Sequence, residues 1–147
     1  MSPDKEREYS ELISFVSIFA TYAWNVDPTD PVHPANVAAH IAETFGKAKA
    51  LIGARQAAND AIESLRGFTR QQLASLDARL IEAGSITVAE MHRRYSRQYK
   101  AVLKRGRIRN ETEFYLVKGV LDTCGDSLGQ DEQATLSSLL LGFEQSS

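Results

Sequence analysis

The chain has 147 residues, 43% of them hydrophobic and 24% charged, with a net charge of −2. A chain of that length buries roughly two-thirds of its unfolded surface and folds without metals or cross-links, and the composition is that of an ordinary globular protein, not a disordered or fibrous one. Its single cysteine, Cys124, excludes an intramolecular disulfide and points to a reducing, cytoplasmic setting.

The first residues, MSPDKERE, are mixed in charge with no basic bias, unlike a secretory signal, and the extreme termini are expected to be flexible. From Tyr9 to Trp24, Leu12, Phe15, Val16, Phe19 and Ala23 recur at helical spacing, while Ser14, Ser17 and Thr21 gather on another side where a second helix can approach. Those polar interruptions exclude a membrane span, which needs about 20 mainly apolar residues. So much apolar surface requires burial on two sides or a subunit interface, the latter making a homodimer possible. Residues 25–34 then form a stiff connector in which Pro28, Pro31 and Pro34 each remove a donor and push the preceding residue out of helix.

Pro34 suits the first turn of a long alanine-rich helix running to Arg66, with Gly67 as its stop. Gly46 and Gly53 lie inside it at roughly 1 kcal/mol each relative to alanine, so a bend or break is expected at one of them. The strip Ala50, Ala54, Ala57, Ala58 and Ala61 lets a neighbour pack close, and Ile41, Phe45, Leu51, Ile52, Ile62 and Leu65 supply larger contacts. Thr69 with Gln72 forms a capping box before the next helix, which Gly84 ends, and Thr87 with Glu90 repeats the device. Asn110 with Glu113 resembles it again ahead of Phe114, Val117, Val120, Leu121 and Cys124. The last helix starts near Asp131 and places Leu136, Leu139, Leu140 and Phe143 on one stripe, with Leu141 outside it as a candidate contact to a second element or subunit. Strand and hairpin signals are almost absent. The expectation is an all-α fold, a single-domain bundle of about six helices over residues 1–147.

Charge singles out one segment, Val88 to Arg109. It carries eight of the seventeen basic residues and one acid, Glu90. At about 100° per residue, Val88, Met91, Tyr95, Tyr99 and Val102 share one face and Arg93, Arg97, Lys100 and Lys104 the opposite one. One helix ending at Gly106 would thus be a basic ridge, extended by Arg94, Arg105, Arg107 and Arg109, on an acidic body. A plainer reading has Lys104 and Arg105 complementing the helix dipole and Arg107 and Arg109 paired with Glu111 or Glu113.

Catalytic and cofactor patterns are missing: no Gly-x-Ser-x-Gly, no glycine-rich phosphate loop. The three histidines, His33, His40 and His92, are far apart, and neither metal nor cofactor is expected. Cys124 lies in an apolar pattern and reads as a small core residue. The leading expectation is a non-enzymatic interaction or regulatory protein, of adaptor, antitoxin or immunity type. It would engage an acidic partner surface through Arg93, Arg97, Lys100, Lys104, Arg107 and Arg109, with Trp24 and Tyr115 as candidate anchors. The alternatives are a sequence-nonspecific nucleic-acid-binding module using the same ridge and a helical enzyme whose site assembles from distant residues. A helix-turn-helix around Gly84 is excluded because Glu90 would occupy its buried position.

Overall fold

A computed structural model describes residues 1–146. The described residues form eight α-helices and two short 3-10 turns, and they fall into two compact units, Met1–Thr87 and Val88–Ser147. The all-α class holds. The count exceeds six because two of the expected helices split, each at an identifiable residue.

The first unit contains α1 (Pro3–Tyr22), α2 (Pro34–Phe45), α3 (Lys47–Ser64) and α4 (Arg70–Glu82). Helix α1 begins earlier than the hydrophobic pattern suggests. Ser2 caps it by accepting from the Lys5 N–H, with Pro3 in the first turn and Asp4 and Glu6 at the positive end of the helix dipole. Helical structure therefore reaches to within two residues of Met1. Asn25, in the left-handed region at φ 56°, turns the chain after α1, and Val26 N–H bonds back to the Ala20 carbonyl at 3.0 Å. The alanine-rich helix breaks at Gly46, whose φ of 95° is open to glycine and costly for other residues, while Gly53 stays helical.

Helix α3 packs on α1 and α2, and α4 packs on α1. Ala50, Ala54, Ala58 and Ala61 are buried together with Leu12, Phe15, Val16, Phe19 and Leu51; the short alanine side chains let helix backbones come close, and the α1 aromatics fill the remaining volume. This resolves the apolar excess of α1 as burial on several sides. His33 ties the connector down. Its Nδ1 accepts from the Ala35 N–H at 3.2 Å, capping α2, which leaves Nε2 to donate to Thr21 Oγ1 at 3.1 Å; that hydroxyl donates to the Ser17 carbonyl.

The second unit contains α5 (Val88–Tyr95), α6 (Arg97–Arg105), α7 (Glu111–Cys124) and α8 (Gln130–Ser146). Its core joins Ala89, Tyr99, Val102, Ile108, Val117, Val120, Cys124, Leu128, Leu136 and Leu139. Helix α7 lies against α5, α6 and α8. No helix of the described residues is long and apolar enough to cross a membrane.

Candidate functional site

The expected basic helix is two helices. Ser96, buried in the chain between them, takes extended backbone (φ −72°, ψ 121°), and its hydroxyl accepts from the Tyr99 N–H at 3.1 Å, capping α6. Serine offers the backbone this side-chain partner in place of a carbonyl, so it interrupts a helix where the local packing favours a turn. Arg93 therefore stands on α5, apart from Arg97, Lys100 and Lys104 on α6. The single ridge is replaced by two environments.

In the first environment the bases are consumed. Arg93 forms a paired contact with Glu132 of α8 (Nη2 to Oε1 2.9 Å, Nε to Oε2 3.1 Å) and donates to Glu90 at 2.9 Å. Arg94 Nε donates to Glu90 at 2.8 Å, and the Tyr99 hydroxyl donates to Glu132 at 3.3 Å. The hydrogen bonds that Arg93 donates to Glu132 raise the Arg93 pKa. Burial, with Glu132 beside it, holds the Tyr99 phenol protonated well above its ordinary range. Burial alone would raise the Glu90 carboxyl, but hydrogen bonds from Arg94, the Cys124 thiol and Arg93 outweigh it and leave the pKa lowered. Cys124 is thus a core residue whose thiol faces a carboxylate, the opposite of the electropositive setting that activates cysteine.

The turn after α6 holds a second cluster. Glu113, 1% exposed, accepts from Arg105 through both carboxylate oxygens (2.8 and 3.1 Å), from the Arg109 N–H at 2.8 Å and from the Arg109 guanidinium at 3.5 Å. The Arg105 guanidinium chiefly, and then the Arg109 N–H, hold its carboxyl at about 2. Asn110 caps α7 on the Glu113 N–H, so only half of the expected reciprocal box exists. The Glu113 side chain serves Arg105 and Arg109 instead.

What remains is a compact basic face. Arg97, Lys100 and Lys104 are exposed on one side of α6, around the exposed Ala101, and Arg107 is exposed just after Gly106. None of the four has a carboxylate within 4 Å among the described residues. Arg97 and Lys104 lie seven residues apart, about 10 Å along the helix axis. Tyr99 and Val102 of the same helix are buried, so the division into a basic face and an apolar face holds within α6.

Of the two candidate anchors, Trp24 is 39% exposed and meets Phe19 edge-on at 4.9 Å. Tyr115 is 47% exposed and lies edge-on to Phe114 at 5.4 Å. Trp24 belongs to the first unit and Tyr115 to the second. Leu141 is exposed. Among the described residues no group of three His, Cys, Asp or Glu side chains is placed to hold a metal ion. Sequence reasoning missed Glu132 and the Arg105–Glu113 pair; the eight-residue step from Arg105 to Glu113 carries no local signal, and the Arg93–Glu132 contact spans 39 residues. No family model, curated protein or solved structure matches this chain.

Proposed function

We propose that the protein is a non-catalytic interaction module whose second unit docks on an acidic protein surface through the outer face of α6. The observation that supports this is selective neutralisation. Four of the eight bases between Val88 and Arg109 (Arg93, Arg94, Arg105 and Arg109) are held by carboxylates of the same unit, whereas Arg97, Lys100, Lys104 and Arg107 are exposed with no carboxylate of the described residues in reach. Three like charges within two helical turns repel one another, and an acidic partner would relieve that repulsion while steering its own approach. A protein partner fits better than a nucleic acid because binding single strands draws on aromatic platforms, and Tyr99, the aromatic of α6, is buried.

The test compares wild type with the triple variant Arg97→Gln, Lys100→Gln, Lys104→Gln and with the charge-matched control Lys5→Gln, Lys47→Gln, Lys49→Gln. Fluorescence anisotropy would follow binding to labelled polyglutamate and to a mixed-sequence duplex and single strand over a salt series. Polyglutamate binding that weakens with salt and falls at least tenfold in the triple variant alone is the expected result. Tighter binding to nucleic acid would move the assignment to the alternative, and binding unaffected by the three changes would refute it.

A further inference from the structure

A cleft of about 480 Å³ lies in the first unit where the end of α1 meets α4, lined by Tyr22, Ala23, Phe68, Gln72, Ser75 and Arg79 among others. That volume is in the range of small-molecule sites. Its chemistry is one-sided. The lining contains a single formal charge, the Arg79 guanidinium, and no carboxylate. The Arg79 guanidinium carbon sits over the Tyr22 ring, 3.8 Å from its centroid, and no acid is within 4 Å of it among the described residues. Stacking occupies the face of a guanidinium and leaves its N–H edge free to bind a carboxylate in bidentate fashion.

The remaining polar groups are donors or have donors to spare. Gln72 uses its carbonyl oxygen to accept from the Thr69 N–H at 2.8 Å, in the α4 capping box, so its amide N–H groups stay available. Gln72, Ser75 and Arg79 follow one another at i, i+3 and i+7, which sets them along one side of α4. Phe68, stacked on Phe19 at 5.9 Å, and Tyr22 give the cleft two aromatic walls.

We propose that this cleft binds a small organic carboxylate bearing an aromatic ring, with its carboxylate on the edge of Arg79 and its ring beside Phe68 and Tyr22. The inference is independent of the α6 surface. Arg79 and Tyr22 are exposed side chains, so changing them leaves the core of the first unit intact.

Trp24 gives the readout, since its ring touches Phe19 and Phe19 touches Phe68, and it is the only tryptophan in the chain. Phenylacetate titrated into the full-length protein should change Trp24 emission saturably, with a Kd on the order of 1 mM, as expected for a ligand of about ten non-hydrogen atoms. Phenylacetamide, of the same shape without the charge, should bind at least tenfold more weakly, and so should acetate, which lacks the ring. Arg79→Gln should lower phenylacetate affinity at least tenfold while leaving far-UV circular dichroism unchanged. Absence of saturation at ten times the expected Kd would overturn the proposal, as would equal affinities for acid and amide, equal affinities for acetate and phenylacetate, or indifference to Arg79→Gln.

Discussion

His92 sets the pH dependence of the second unit between neutrality and pH 5. Its Nδ1 is buried without a hydrogen-bond partner among the described residues, and burial lowers its pKa from 6.5 to about 4. In the unfolded chain the ring takes a proton below pH 6.5; in the folded unit it stays neutral until about pH 4. The unfolded state therefore binds more protons across that window, and stability falls as pH falls. At pH 5 the difference between those two pKa values amounts to about 2 kcal/mol relative to pH 7.5. Glu113 adds no more than a few tenths of a kcal/mol to the change between pH 7.5 and pH 5, because its stabilising effect is lost mainly below pH 4.5. His92→Leu removes both the titration and the unpartnered nitrogen. Urea unfolding followed by far-UV circular dichroism should show the variant as stable as wild type or slightly more so at pH 7.5. At pH 5 it should lead by about a further 2 kcal/mol, a midpoint shift of roughly 1–2 M at the m-value of a small unit. An identical pH 5 to 7.5 difference in wild type and variant would refute the reasoning. Trp24 lies in the first unit, so its emission is not the probe.

Two further outcomes follow from the polar clusters. Glu113→Gln leaves Arg105 without its charge partner at a site where Glu113 is 1% exposed; the Arg105 side of the pair is reached by solvent, which screens it, and the loss should be about 1–2 kcal/mol at pH 7. Because that contribution is present above pH 4.5 and disappears as pH falls toward 2, the gap between wild type and variant should close over that range in acid titrations monitored by circular dichroism. Ser96→Ala removes the α6 cap at a buried turn and should cost about 1–2 kcal/mol in urea unfolding at pH 7; an unchanged midpoint would mean that α5 and α6 can fuse into one helix.

Elements with both a chemical start and a chemical stop were legible in the sequence. Thr69 and Gln72 make the capping box expected of them, Gly106 ends α6 in the left-handed region at φ 81°, and the break at Gly46 is one of the two that glycine placement allowed. Ser96 was not legible, because a serine inside a run of helix formers is tolerated in many helices and here tertiary burial decides for the turn. The site was half legible. Periodicity placed Tyr99 and Val102 inward and Arg97, Lys100 and Lys104 outward, since both follow from helix geometry alone. Which arginines meet carboxylates depends on how α5 and α8 pack, and no local spacing contains that information.

The paired and the unpaired bases are connected through α6 itself. A nine-residue helix is too short to be stable alone in water, so its geometry is imposed by contacts at both ends. Near the start, the Ser96 cap and the Tyr99 hydroxyl on Glu132 fix the first turn. At the far end, Arg105 and Arg109 converge on Glu113, the first-turn acid of α7. The acids that pair with four of the bases thereby hold the helix that presents Arg97, Lys100 and Lys104. A face held this way has already met much of the ordering cost that binding would otherwise impose. Neutralising some arginines and exposing other bases thus work in the same direction, which a continuous helix of unpaired bases would not achieve.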